Sequence, residues 1–184
     1  MLPFDATELE GLDCLGSPTG VIRHAQELAS EAFGADRSWF LVNGSTVGVH
    51  AAILSTSGPG DKVVIPRNCH MSAFAALVLS GAQPVWVQPR CDNAFGIAVT
   101  DAHDVASAVR SHTGVSSAFV VSPNYFGACA DLAPLARVCS DLGIPLVVDE
   151  AHGGHLGFSR AFPPSALEQG ADVVVQSTHK TLGA

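Results

Sequence analysis

One of the chain's two lysines, Lys180, stands just past an apolar run, inside Gln176-Ser177-Thr178-His179-Lys180. A lysine amine in a partly desolvated cleft is a Schiff-base nucleophile, whereas on a solvated loop it only carries charge. Its neighbours decide between the two. Asp149 closes the aliphatic run Pro145-Leu146-Val147-Val148, and a carboxylate placed there needs a partner, either a cationic ring nitrogen or a metal ion. Gly44-Ser45-Thr46 opens a helical pattern. A glycine, two hydroxyls and free backbone N–H groups at a helix start suit a phosphate, and equally an ordinary N-cap. The spacing is not that of a Walker motif, which argues against a nucleoside triphosphate. His70, in Arg67-Asn68-Cys69-His70-Met71-Ser72, is either structural or a flat cover for a ring. Asp149, His152 and His155 form an alternative metal set. Their H-x-x-H spacing suits one helix face poorly, and Gly153 and Gly154 mark a loop, so no metal is expected and His155 reads as a loop histidine.

Taken together, a phosphate site, a flat cover, a carboxylate and a lysine are what pyridoxal 5′-phosphate (PLP) requires. The phosphate needs N–H and hydroxyl donors, the pyridine nitrogen needs an anion, and the aldehyde needs an amine.

These residues need a scaffold. Short apolar runs at Trp39–Val42, Lys62–Ile65, Pro84–Val87, Ala118–Val121, Pro145–Val148 and Asp172–Val175 alternate with helical patterns near 20–33, 46–57, 70–80, 101–112 and 131–142. Runs that are apolar on consecutive positions suit strands buried on both faces, and the alternation predicts a doubly wound α/β domain with a mostly parallel sheet. Thr100 and Asp101 mark one helix start, Asp131 another, and Gly143 a helix stop. In such sheets ligands bind at the carboxyl ends of strands. Residues 43–46, 67–72, 122–127, 149–155 and 176–180 are all expected on that edge.

Of the 184 residues, 47% are hydrophobic and 14% charged, and the net charge is −8. With 17 acidic residues against 9 Lys and Arg there is no basic stripe, so no nucleic-acid partner is expected. Five scattered cysteines without a C-x-x-C predict reduced thiols and a cytoplasmic setting. No apolar run reaches the ~20 residues that span a bilayer, so no membrane partner is expected.

The stretches FLVNGSTVGVHAAI, VVIPRNCHMSAFAALVLSGAQPVWV, LVVDEAHGGHLGF and ADVVVQSTHKTLGA resemble the major domain of the Orn/Lys/Arg decarboxylases, PLP enzymes of the aspartate-aminotransferase fold (fold type I). The resemblance covers nearly the whole chain. It implies a three-layer αβα domain over residues 1–184, incomplete, with an antiparallel seventh strand expected after the cofactor lysine. It implies Lys180 as the lysine that carries PLP, Asp149 as partner of the pyridine nitrogen, and His70 stacked on the ring. It places Ser45, Thr46, Ser177 and His179 around the phosphate, and His152 near the ring and the substrate's reactive carbon. The implied activity is that of the parent protein, decarboxylation of arginine, lysine or ornithine, by a homodimer or higher homo-oligomer when full length, and the 184 residues alone are expected to be inactive. An α-oxoamine synthase and a non-catalytic fragment are the alternatives. Met71 stands where the family usually has lysine, and Asn124 where it usually has threonine, which bears on substrate identity.

Overall fold

A computed structural model of the chain describes residues 11–92 and 96–183. It falls into two units, Met1–Val42 and Asn43–Ala184. The first is built around helix α1, Val21–Phe33. Its N-terminal residue pattern offers no local side-chain cap, because Gly20 holds the N-cap position. The cap comes instead from Asp13. One carboxylate oxygen accepts from the Cys14 and Thr19 N–H groups at 3.0 and 2.8 Å, the other from Gly20, Ile22 and Arg23 at 2.9, 2.8 and 3.3 Å. A carboxylate at a helix N-terminus meets both the unpaired N–H groups and the positive end of the macrodipole. The helix ends at Gly34 in the left-handed conformation, φ 70°.

The expected strand at Trp39–Val42 does not form: residues 37–41 are irregular and all four side chains are exposed. Apolar composition makes a strand only where a neighbour supplies a hydrogen-bonding ladder, and none of the described strands pairs with this segment.

In the second unit consecutive aliphatic residues are buried because both faces of a sheet are covered. Helix α2 (Gly44–Thr56) leads into β1 (Lys62–Pro66), α3 (Met71–Ser80) and β2 (Gln83–Val87). A small antiparallel hairpin, β3 (Arg90–Asp92) and β4 (Ile97–Val99), precedes α4 (Ala102–Ser111), β5 (Val115–Val121), α5 (Ala133–Asp141) and β6 (Leu146–Asp149). A 3-10 turn at Leu156–Phe158, β7 (Val173–Val175) and the short α6 (Thr178–Thr181) complete the order. The main sheet runs β2-β1-β5-β6-β7, parallel throughout. Successive residues of each strand point to opposite faces. Val63, Ile65, Phe119, Val147 and Val175 join Val49, Ile53 and Leu77 of α2 and α3 in one core. Val64, Ala118, Val120, Leu146 and Val148 join Val105, Leu135 and Cys139 of α4 and α5 in the other. The three-layer α/β architecture expected from the sequence is the one observed, with five parallel strands rather than six.

The chain visits β1, then β2 on one side, then β5 on the other, so the order reverses between β1 and β5. Ligand crevices lie at the carboxyl ends of strands where the order reverses. The hairpin was not anticipated, because its three-residue strands carry no readable alternation. It is tied to the loops at this point: Asn68 and Asn124 each donate a side-chain N–H to the Ala98 carbonyl at 3.3 Å, and Thr100 Oγ1 donates to Asn68 Oδ1 at 2.8 Å. Asp101 caps α4 as expected, accepting from the His103 N–H at 2.9 Å. Asp131 does not cap α5; the N-cap is Leu132, with proline in the first turn, and Gly143 follows the helix at φ 66°.

The N–H groups of Thr19 first, then Cys14, Gly20 and Ile22, hold the Asp13 carboxyl well below its ordinary value, at about 2. A depressed folded pKa means that the stabilisation is complete above the unfolded value and is lost as pH falls through the folded one. Acidification from about pH 4 to about pH 2 is expected to release the first turn of α1. Amide exchange at Ile22 and Arg23 should accelerate over that window, and Asp13→Ala should abolish the dependence.

Candidate functional site

The residues singled out for chemistry all belong to the second unit. Asp149 is the last residue of β6 and only 5% exposed. Its Oδ1 accepts one bond, from the Ala151 N–H at 3.1 Å. Burial pushes the carboxyl up, and the Lys180, His70 and His152 charges and the Ala151 bond pull it back. The carboxyl is held where water is scarce, and the Ala151 N–H and the nearby Lys180, His70 and His152 favour its charged form against that burial.

Lys180 lies on α6, directly after β7, and its Nζ is 3.3 Å from His152 Nε2. Burial and the Lys180 charge hold His152 below its ordinary value, against the opposing pull of Asp149. The Tyr125 ring meets the His152 ring edge-on, with centroids 5.2 Å apart. His70 is the N-cap of α3, where Nδ1 accepts from the Ser72 N–H at 3.1 Å and pairs with Ser72 Oγ at 2.8 Å. That bond fixes the ring's attitude at the strand end and leaves the exposed face of the imidazole available. Between β1 and His70, the Cys69 thiol is pushed up to about 12, by burial first and Asp149 second. It is a neutral filler and not a nucleophile.

Helix α2 begins at Gly44 with no side-chain cap, so its first N–H groups are not taken up by Asn43. Gly44 has φ 67°, a backbone that favours glycine. Ser45 and Thr46 lie in the first turn, and α2 packs against β6 and β7. At the end of β7, Ser177 is 3% exposed, and its Oγ is buried without a hydrogen-bond partner in the protein. A buried hydroxyl without a partner costs free energy unless a ligand or water satisfies it. His179 is exposed beside it. These donors fit a phosphate, and Asp149 and Lys180 fit a pyridine nitrogen and an aldehyde. The residue set therefore suits PLP.

His155 stands apart. It begins the 3-10 turn, its ring meets Phe162 edge-on at 4.8 Å, and its Nδ1 is buried without a partner in the protein. Among the described residues no three His, Cys, Asp or Glu side chains are grouped to hold a metal ion. A cleft of about 430 Å³ lined by Arg90, Thr100, Cys129 and Asp131 contains none of the residues singled out for chemistry.

The loop Asp149–His155 is shaped by its glycines. A Cβ on Gly153 would lie 2.5 Å from Glu150 Cγ and 2.6 Å from Pro123 Cδ; one on Gly154 would lie 3.2 Å from Leu182 Cδ1. Gly153 admits the β5 loop, and Gly154 admits the segment that carries Lys180. Sequence reasoning missed Glu150, Gln176 and Tyr125. The signal for Glu150 was a second carboxylate directly after Asp149, and for Gln176 an amide directly after an all-valine strand. Asn124 also acquires a reason: its Oδ1 accepts from the Phe126 and Ala128 N–H groups at 2.9 and 3.0 Å, which builds the loop that presents Tyr125. Met71 is 72% exposed at the start of α3.

Fold and site narrow the class to the PLP-dependent fold type I enzymes, whose large domain has this three-layer arrangement. Among solved structures, the fold matches the SepCysS–SepCysE N-terminal domain complex with a TM-score of 0.73 at 18% identity, over 93% of this chain and 45% of that one. It matches an alanine–glyoxylate aminotransferase from Nostoc sp. with a TM-score of 0.70 at 18% identity, over 89% and 42%. The family model for the Orn/Lys/Arg decarboxylase major domain matches residues 1–184, and the chain belongs to that family. It is 46% identical to a Bacillus subtilis protein named uncharacterized protein YaaO and 40% identical to the arginine decarboxylase of the same organism. Each match covers all of this chain and 38% of the relative, so the chain spans little more than a third of the length of these relatives. No described helix is long and apolar enough to cross a membrane.

The Lys180 ammonium contributes to the depression of His152. Removing it as Lys180→Met is expected to raise the His152 midpoint toward an ordinary imidazole value, without restoring it fully because burial remains. An NMR titration of the His152 ring checks this; a midpoint unmoved by the substitution would mean that the two groups do not face each other.

Proposed function

We propose that the protein carries PLP on Lys180 and decarboxylates a basic amino acid, with arginine the first candidate. The observation that carries this reading is the convergence of Lys180 and His152, 3.3 Å apart, on the buried carboxylate Asp149 at the strand ends. Arginine is favoured because the 40% identical Bacillus subtilis relative is named an arginine decarboxylase.

In this reading the α2 N–H groups, Ser45, Thr46, Ser177 and His179 hold the phosphate, His70 covers the ring, and Asp149 faces the pyridine nitrogen. Bound there, PLP supplies an electron sink for the electron pair left when the α-carboxylate departs as CO2. Asp149 stays ionised against its own desolvation only while it faces a cation, so it keeps a proton on its ring partner. That interaction strengthens as negative charge develops, which is the condition for accelerating a step rather than merely binding. Lys180 offers an amine at the rim, and His152 accepts a hydrogen bond from it. His152, neutral near pH 7 because its pKa is depressed, can take a proton from the lysine and return it. Tyr125 packs on His152 and limits water on that side. The site would act on a small-molecule amino acid in a homodimer or higher homo-oligomer.

Asp149→Asn is expected to lower kcat by about 10²–10³ while PLP affinity falls far less, because the carboxylate acts mainly on developing charge. Turnover is read as CO2 and the corresponding amine from arginine, lysine and ornithine. Equal losses of affinity and turnover would make Asp149 an anchor only. Condensation with an acyl-CoA in place of CO2 and amine release would replace the reaction assigned.

A further inference from the structure

We infer that Glu150 and Gln176 act as a pair of positioning residues that lock the Asp149 strand end to the Ser177–Lys180 strand end. The inference rests on the functional reading above and adds the device that holds its two halves in register. Glu150 is 1% exposed. Its Oε2 accepts from Gln176 Nε2 at 2.7 Å, and its Oε1 accepts from the Ala166 N–H at 2.7 Å. Its own N–H donates to the Val175 carbonyl at 2.9 Å, which continues the β6–β7 ladder by one residue. One side chain thus joins the residue after Asp149, the residue before Ser177 and the loop that returns to β7. The space around it is closed, since Gly153 has no room for a Cβ against Glu150 Cγ.

A buried carboxylate is a costly way to join three segments, and apolar packing would stabilise as well. What the pair adds is direction. Each oxygen takes one short N–H bond, so the side chain cannot rotate without losing both. Gln176 is followed by Ser177 and then by the turn into α6, so its orientation sets where the buried Ser177 hydroxyl and Lys180 fall relative to Asp149. The parallel pairing alone does not fix this, because β7 has only three residues and its ladder ends at Val175. Groups facing Glu150 from neighbouring elements are Glu168, whose charge adds to the burial that raises the Glu150 carboxyl, and Cys129, whose thiol is raised by burial first and by Glu150 second. Neither is hydrogen-bonded to it.

The test uses three variants of the protein and reads PLP affinity, by quenching and visible absorbance, beside thermal melting of the PLP-free form. Gln176→Met keeps the bulk and removes the bond. It is expected to weaken PLP binding roughly ten- to hundred-fold, the range for one hydrogen bond to a charged group, with the fold kept and the melting temperature lowered because the buried Glu150 Oε2 loses its donor. Gln176→Glu sets two carboxylates face to face, which can share a proton at mildly acidic pH but repel when it leaves. Its PLP affinity relative to the unmodified protein is expected to fall as pH rises. The exchange Glu150→Gln with Gln176→Glu restores one amide and one carboxylate while the Ala166 N–H keeps an acceptor. It is expected to recover affinity and to remove the added pH dependence. Affinity in Gln176→Met equal to the unmodified protein, or an exchanged pair no better than Gln176→Glu alone, would overturn the inference while leaving the functional reading intact. An unmodified protein that takes up no PLP would overturn both.

Discussion

A carboxylate at the end of an aliphatic strand is the constraint from which the site follows. Asp149 is buried at the end of β6, and that burial pushes its carboxyl up. Lys180, His70 and His152 favour its charged form against that burial, and these come from three different strand ends. Parallel pairing of β6 with β5 and β7 brings those ends to one edge, and the reversal of strand order between β1 and β5 leaves a crevice beside them. The fold therefore supplies the address, and the buried charge selects which side chains can occupy it.

Two groups of hydrogen-bond donors are likewise left open. α2 begins without a side-chain cap and Ser177 has a buried hydroxyl without a protein partner. Both are unfavourable in isolation, and both are what an anionic ligand would repair. The loops that carry no chemistry of their own are specified closely. Asn124 folds the turn behind Tyr125, Gly153 and Gly154 let two segments approach the Asp149 loop, and Glu150 ties two strand ends.

Much of this was legible in the sequence because burial on both sheet faces leaves consecutive aliphatic residues, and the helices between them are periodic. Strands β1, β2, β5, β6 and β7 all fall where those runs predict. The run Trp39–Val42 has the same composition and forms no strand, since composition does not report whether a ladder partner exists. The β3–β4 hairpin is too short for alternation to register. Lys180, Asp149, His70 and the Ser45–Thr46 helix start could be read from residue type and position at strand ends. Glu150, Gln176 and Tyr125 could not, because their significance lies in pairings across 26 or 27 residues of chain that only the folded sheet creates. The remote cap of α1 by Asp13 escaped for the same reason.

The account stands most directly on where PLP attaches. The protein should be incubated with PLP, reduced with borohydride, digested, and the pyridoxyl-bearing peptide sequenced by mass spectrometry. The account predicts the label on Lys180, in the peptide that contains Ser177 and His179. A label on Lys62, which stands at the amino end of β1 and donates to the Thr113 carbonyl, or no labelled lysine, would contradict it.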